Sequence, residues 1–273
     1  MKYVGCLEKV ADLIKKQRET GVFCEKLLTF WYNKFLTDGG SFIDVGSRVG
    51  DHFVPMARKV GVDGMALGIE ANAVVAQELE TRAKKIAGLP KELKIQSMAA
   101  SDHSGVVDFY IREDYQGWSS IFESHVHPSE TQETTVTTVD KDTLDNLVLE
   151  NLKWQNCDFI KLDIEHSEFP ALRGARGILE SMRPFIVFEN APRVASELND
   201  YSLEEFVEFF QELDYDLYDI YMNKVTIQRL KEDAALPSYY LCFHDTQFAE
   251  VHALLKEYDE FCTAYVENMD VAA

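Results

Sequence analysis

A short run of residues, FIDVGSRVG from Phe42 to Gly50, places an acid and two glycines at the end of an apolar strand. Glycines in such a turn let the backbone come close to a ligand, and a side chain at Gly46 would occupy the ligand's space. The dinucleotide fingerprint G-x-G-x-x-G uses its middle glycine to admit a pyrophosphate, and Arg48 stands at that position here. The ligand predicted at this turn therefore need not carry phosphate.

Two carboxylates flank the turn. Asp44 lies at the tip of the strand, where it can face a cationic group of the ligand. Glu70 follows Gly50 by 20 residues and ends the next apolar run, where a carboxylate can accept both hydrogen bonds of a ribose diol. A ribose joined to a cationic amino acid without phosphate describes S-adenosylmethionine. Two alternatives stay open: a tight strand-helix connection with no ligand, and a nicotinamide-dependent oxidoreductase on the same fold.

The elements that must position these residues are strands alternating with amphipathic helices. Apolar runs predict strands at 41–45, 64–70, 94–98, 106–111, 134–139, 159–164, 185–189, 215–222 and 239–244. This alternation predicts a three-layer, doubly wound α/β fold with a mostly parallel sheet, and ligands bind such sheets at the carboxyl ends of the strands. The last two strands have no convincing amphipathic helix between them. They are therefore predicted to pair antiparallel and to give the sheet an antiparallel edge strand.

Periodicity also suggests how the chain is organised. The first 36 or so residues predict two amphipathic helices, at 7–14 and 28–35, and Gly39-Gly40 separates them from the first strand. We expect an N-terminal helical extension at 1–38 and a single domain at 39–273. The polar segment 115–133 predicts a long loop of the kind that is often functional. An apolar stripe from Phe248 to Tyr265 predicts a terminal helix that faces the core, or alternatively a homodimer interface.

Downstream motifs carry a family resemblance. The stretch DFIKLDIEHSEFPALRGARGIL at 158–179, followed by RPFIVFEN at 183–190, resembles the FkbM family of S-adenosylmethionine-dependent methyltransferases. That family's signature runs D-F-I-K-[IVL]-D-[VI]-E-G-x-E, then a helix with L-x-G-A and a strand ending in E-N. AASDHSG at 99–105 and TLDNL at 143–147 are similar to its intervening motifs. The resemblance covers about residues 42–190 and implies a Rossmann-like class I methyltransferase. It also implies O-methylation of a hydroxyl on a sugar, glycan, polyketide or similar metabolite.

The resemblance also implies the site residues. Met98, Ala99 and Ser101 would lie near the adenine of the methyl donor, and Asp163 would lie beside the sulfonium. Arg48, where the family usually has asparagine, either binds the donor's carboxylate or points to solvent. The donor-binding residues implied in full are Asp44, Gly46, Ser47, Arg48, Gly50, Glu70, Ala71, Met98, Ala99, Ser101 and Asp163.

Methyl transfer to an alcohol needs a base, and three residues qualify: Asp163, Glu165 and His166. His166 stands where the family usually has glycine, and its unperturbed pKa near neutrality suits a base, although a histidine at a helix start has an ordinary explanation too. Asp163 and Glu165, with Glu168 and Glu189, also offer enough oxygen ligands for Mg²⁺. Carboxylates at a helix start are favourable without a metal, so Mg²⁺ is not favoured.

Composition limits the partners. The formal net charge of -20 disfavours binding to nucleic acid or to anionic membranes. The sequence shows neither a signal-peptide core nor an apolar run of membrane-spanning length. The five cysteines are scattered and never spaced as C-x-x-C, which favours reduced thiols in the cytoplasm over disulfides or zinc. A small-molecule or glycan acceptor is expected as the partner. A non-catalytic S-adenosylmethionine-binding protein is the remaining alternative.

Overall fold

The structure is a computed structural model that describes residues 20–112, 119–123, 134–232 and 236–272. The predicted helix at 7–14 and most of the predicted loop at 115–133 lie outside these ranges. The strands are β1 (Ser41–Val45), β2 (Met65–Glu70), β3 (Glu92–Ser97), β4 (Ala99–Ala100), β5 (Gly105–Arg112), β6 (Thr134–Asp142), β7 (Phe159–Leu162), β8 (Phe185–Glu189), β9 (Tyr215–Asp219) and β10 (Tyr239–His244). The helices are α1 (Thr20–Phe35), α2 (Phe53–Val60), α3 (Ala73–Ala83), α4 (Glu168–Arg173), α5 (Arg176–Met182), α6 (Pro192–Leu198), α7 (Leu203–Glu212), α8 (Ile227–Glu232) and α9 (Phe248–Ala272), with a π-helical segment at Asn146–Leu152.

The main sheet has the strand order β3-β2-β1-β7-β8-β10-β9. β1 lies near its middle and pairs in parallel with β2 and β7, and β8 continues the parallel set. The carboxyl ends of β2, β1, β7 and β8 therefore meet at one edge of the sheet. This arrangement confirms the predicted mostly parallel α/β fold and brings Glu70, Gly46, Asp163 and Glu189 to the same side of the molecule.

The last two strands pair antiparallel as predicted. β10 runs antiparallel to both neighbours and lies between β8 and β9, so the strand at the edge is β9. Burial agrees with this order, because all six residues of β10 are buried whereas β9 alternates between buried and half-buried residues. A short helix, α8, also lies between the two strands. As a consequence Tyr239, the first residue of β10, lies beside Glu189 at the carboxyl edge of the parallel strands.

A second, smaller sheet has the order β4-β6-β5. The strand predicted at 106–111 does not join the main sheet. Instead β5 pairs antiparallel with β6 over its full length, from Gly105 opposite Lys141 to Arg112 opposite Thr134. A single bridge between Tyr110 and Ser120 joins the described part of the following loop to this sheet.

Apolar side chains cover both faces of the main sheet, as the period of two along each strand requires. In β1, Phe42 packs on one face with Trp31 of α1 and Tyr258 of α9, and Ile43 packs on the other. Trp31 stacks on Phe185 with ring centroids 5.3 Å apart. The terminal helix thus packs the middle of its apolar stripe into the core, with Val251, Tyr258 and Cys262 fully buried, whereas Phe248 is 42% exposed. None of the helices in the described ranges combines the length and apolar composition needed to cross a bilayer.

Candidate active site

Two glycines, Gly46 and Gly50, lie in the turn after β1, where the chain is tightly packed. Gly46 has a φ of 78°, and a Cβ atom there would lie 1.9 Å from the carbonyl oxygen of Asp163. Gly50 has a φ of 85°, and its Cβ would lie 2.5 Å from a methyl group of Leu79 in α3. Gly46 therefore requires glycine because the Asp163 backbone approaches closely, whereas at Gly50 the positive φ favours glycine and the nearest atoms are the ends of side chains. This corrects the expectation that a larger residue at Gly46 would affect only the ligand's space.

Glu70 holds the same turn from the end of β2. One of its carboxylate oxygens accepts from the backbone N–H of Arg48 at 2.9 Å, and the other accepts from that of Asn72 at 2.8 Å. Burial raises the pKa of Glu70, although these two hydrogen bonds oppose the shift. Each oxygen keeps a lone pair, so the carboxylate can still accept hydrogen bonds from a diol. The Arg48 side chain is exposed, and its backbone is left-handed with a φ of 44°, a conformation that asparagine adopts more readily than arginine.

Asp44 does not face the predicted ligand. Its side chain is 1% exposed, and the ammonium nitrogen of Lys161 lies 3.4 Å from its Oδ1 atom. The same ammonium lies 3.4 Å from Asp163 Oδ2 and donates to the carbonyl oxygen of Gly46 at 3.2 Å. Burial alone would lower the pKa of Lys161, but the charges of Asp44 and Asp163 outweigh burial and raise it. A protein cation thus takes the place of the ligand cation that we expected beside Asp44.

A cavity of about 250 Å³ opens over the carboxyl ends of the strands. It brings together most of the residues that the sequence singled out, namely Gly46, Arg48, Glu70, Ala71, Met98, Ala99, Asp163 and Glu165. The predicted residues that do not line it are Asp44, Ser47, Gly50, Ser101 and His166. Ser47 is buried and donates to the carbonyl oxygen of Asp44 at 2.7 Å, so it supports the turn from beneath.

Carboxylates dominate one end of the cavity. Burial, followed by the charge of Asp163, raises the pKa of Glu189 to about 9. The same two causes raise the pKa of Glu165 to about 7, while Arg112 opposes the shift. Glu168 is buried behind the wall, and burial raises its pKa to about 8 although its carboxylate accepts from the N–H of Ile164 at 2.8 Å. Glu165 is therefore a cavity-lining acid that changes protonation state near neutral pH.

His166 lies outside the cavity lining. It is half-buried, its φ is 77°, and its carbonyl oxygen accepts from the side chain of Asn199 at 2.8 Å. The positive φ explains why a glycine suits this position in the signature that the sequence resembles. The structure therefore places Asp163 and Glu165, but not His166, around the cavity.

Two further cavity residues, Glu25 and Tyr239, were missed by sequence reasoning. Glu25 comes from α1, and one of its oxygens accepts from the Tyr239 hydroxyl at 3.0 Å. Its other oxygen contacts the Nε2 atom of His52. These partners are distant in sequence, and no local pattern marks Glu25 as different from any other acid on an amphipathic helix.

Within the described ranges, no group of three or more His, Cys, Asp or Glu side chains is placed so that it could hold a metal ion. The shared Lys161 ammonium and the raised pKa of Glu189 show how the neighbouring acids are accommodated without one.

Comparison with known proteins identifies the family. A model of the FkbM methyltransferase domain matches residues 44–217, which is more than half of the chain. No curated protein gives a significant match. The structure of the methyltransferase FkbM from Methylobacillus flagellatus KT is 15% identical, with 78% of this chain and 48% of that chain covered at a TM-score of 0.47. This chain thus spans about half the length of that protein.

The structure of an O-methyltransferase from Bacillus cereus, determined in complex with SAH, is also 15% identical. The alignment covers 88% of this chain and 90% of that chain at a TM-score of 0.42. The family match removes the nicotinamide-dependent alternative. It covers Asp44, Glu70 and the whole acidic group from Asp163 to Glu189, and the chain accordingly belongs to the FkbM family of S-adenosylmethionine-dependent methyltransferases.

Proposed function

We propose that this protein transfers a methyl group from S-adenosylmethionine to a hydroxyl oxygen of a small-molecule or glycan acceptor. The residues around the cavity fit the donor. The Glu70 carboxylate can accept from the ribose diol, and Met98 and Ala99 offer an apolar surface for the adenine. Arg48 lines the same cavity and can pair with the donor's carboxylate. When bound, the donor supplies an electrophilic methyl group on a sulfonium.

Glu165 is our choice for the base that takes the acceptor proton. The observation that carries this choice is its position on the cavity wall with a pKa of about 7, close to the value that best serves proton transfer at neutral pH. Asp163 lies 3.4 Å from the Lys161 ammonium, so its carboxylate is already engaged in an ion pair. His166 lacks a place on the cavity wall.

The residues of the chain then divide the work. The wall formed by Gly46, Glu70 and Asp163 orients the donor, and Glu165 orients the acceptor hydroxyl by accepting its hydrogen bond. As the new carbon–oxygen bond forms, the proton of the hydroxyl passes to Glu165 and the carbon–sulfur bond breaks. The products are a methyl ether and S-adenosylhomocysteine, and the proton on Glu165 returns to solvent.

Incubation with methyl-labelled donor and a library of sugars, lipids and polyketides tests the function. We expect label on an oxygen atom of one acceptor class, located by mass spectrometry and NMR. Label on nitrogen or carbon would contradict O-methylation. Donor binding by calorimetry without transfer to any acceptor would favour the non-catalytic alternative.

The base is tested by Glu165→Gln, which keeps the size and polarity of the side chain. We expect turnover to fall by about 10²–10⁴-fold with little change in donor affinity, and the pH profile to lose its ionisation near pH 7. His166→Gly is the matched comparison and should retain most of the turnover. The reverse result, with loss in His166→Gly and none in Glu165→Gln, would assign the proton to the histidine.

A further inference from the structure

Glu25 reaches the cavity from α1, a helix outside the 44–217 region that matches the family. Its side chain is 42% exposed and lines the cavity. Tyr239 and His52 each hold one of its two oxygens, which fixes the direction of the carboxylate. The protein thus places an oriented, accessible acid in the cavity wall that the proposed mechanism does not use.

Four other acids in or beside the cavity, Asp44, Asp163, Glu165 and Glu189, are less able to bind a cation. Asp44 is buried against Lys161, which also contacts Asp163. Burial and the charge of Asp163 raise the pKa of Glu189 to about 9 and that of Glu165 to about 7, so Glu189 is protonated at neutral pH and Glu165 partly so. Burial acts on Glu25 in the same direction, but its hydrogen bond with His52 and the histidine's charge outweigh burial and lower its pKa. Glu25 is therefore ionised at neutral pH.

The position of Glu25 fits one end of the donor. Glu25 contacts His52, which follows the turn after β1, and it also contacts Tyr239. Tyr239 belongs to β10, which lies two strands beyond β7 in the sheet. Glu70 is at the end of β2, on the other side of β1. A ligand whose ribose contacts Glu70 and whose sulfonium lies near Asp163 would extend its amino-acid chain towards Glu25.

From this placement we propose that Glu25 binds the ammonium group of the donor's amino-acid chain. The proposal rests on the proposed function, because it takes S-adenosylmethionine as the occupant of the cavity. An ammonium group has three N–H donors, and each oxygen of Glu25 keeps a lone pair beside its protein contact. Glu25 thereby takes the place that the sequence assigned to Asp44, and it makes α1 part of the donor site.

Calorimetric binding of three nucleosides tests the proposal without any acceptor. S-adenosylhomocysteine has both the ammonium and the carboxylate, decarboxylated S-adenosylmethionine keeps the ammonium alone, and 5′-methylthioadenosine has neither. We expect Glu25→Gln to weaken the first two by about 10–100-fold, the range for a lost hydrogen bond to a charged group, and to leave the third unchanged. Tyr239→Phe, which frees one oxygen of Glu25, should show the same selectivity with a smaller loss.

Glu257→Gln is the control. Glu257, in α9, contacts Lys34 of α1, the helix that carries Glu25, and Glu257 does not line the cavity. It should bind all three nucleosides as the wild-type protein does. Equal weakening of all three by Glu25→Gln would overturn the proposal in favour of a structural role. Unchanged binding of all three nucleosides by Glu25→Gln would also overturn the proposal, and Glu25 would then be a candidate for contact with the acceptor. If the wild-type protein bound none of them, the proposed function itself would fail, and the role of Glu25 with it.

Discussion

Glu165 and His166 both adopt left-handed backbone conformations, with φ angles of 52° and 77°. Residues other than glycine pay for this conformation because Cβ approaches the backbone carbonyl oxygen. Two in succession form a sharp corner between β7 and α4, and the corner turns Glu165 towards the cavity while leaving His166 outside it. The position of the proposed base is therefore set by strained backbone, as is common at functional sites.

This strain predicts that His166→Gly stabilises the protein. Relief of the left-handed conformation should gain about 1–2 kcal/mol, and the added freedom of glycine in the unfolded chain should remove part of that gain. We expect a net increase of about 0.5–1 kcal/mol in the free energy of unfolding, measured with urea. Lys153→Gly, at an exposed position with a φ of 56°, is the matched comparison and should behave alike. A loss of stability in His166→Gly alone would show that the imidazole makes contacts worth more than the strain.

Residue types and spacing predicted the acids at the strand ends better than they predicted the surroundings of Asp44. Glu70, Asp163 and Glu165 follow directly from strand ends, because the carboxyl ends of parallel strands must meet. Asp44 was expected to face a ligand, but Lys161 lies two residues before Asp163 on the neighbouring strand and pairs with it. Its role depends on which strands are neighbours, which spacing along one strand does not reveal.

At the scale of elements, β10 shows how topology builds the site. Its continuous burial fits a strand with neighbours on both sides, and that pattern is present in the sequence YYLCFH. The location of β10 between β8 and β9 puts Tyr239 next to Glu189 and within reach of Glu25. The strands themselves could be predicted from periodicity, whereas their lateral order arises from competition between packing surfaces. Glu25 could not be predicted for the same reason.

The turn after β1 yields a prediction about packing. Gly46→Ala should lower the free energy of unfolding by more than about 3 kcal/mol or prevent folding, because the new Cβ meets the Asp163 backbone at 1.9 Å. Gly88→Ala is the control: Gly88 has a similar φ of 82°, but nothing lies within 4 Å of a Cβ there. That variant should lose only about 1–2 kcal/mol, the cost of the left-handed conformation. If urea unfolding shows equal losses of stability in the two variants, the left-handed backbone conformation, and not the contact with the Asp163 backbone, requires glycine at position 46.

Across the whole molecule, acids outnumber basic residues, and several of these acids are buried together. The chain carries a net charge of -20, and Glu165, Glu168 and Glu189 lie within one group whose pKa values are raised by burial to about 7, 8 and 9. Burial keeps Glu168 and Glu189 protonated at neutral pH, so these two acids add little negative charge to the region. A bound donor would bring positive charge and would favour the charged forms of these acids. The net charge of the chain disfavours polyanionic partners at its surface.

These pKa values predict how stability depends on pH. Between the ordinary glutamate value of 4.5 and the raised values, the folded protein binds more protons than the unfolded chain, so stability must fall as pH rises. The pKa of Glu25 is lowered, so Glu25 changes the dependence of stability on pH only below this interval. The pKa of Lys161 is raised, so Lys161 changes it only above this interval. We expect the free energy of unfolding to fall from pH 5 to pH 9, most steeply where all three acids are still protonated in the folded protein. Glu168→Gln should make this fall less steep between about pH 5 and pH 8, and the exposed Glu208→Gln should leave it unchanged. Urea unfolding at a series of pH values measures the slope, and a stability that is constant or rises towards pH 9 would contradict the proposed burial of these protonated acids.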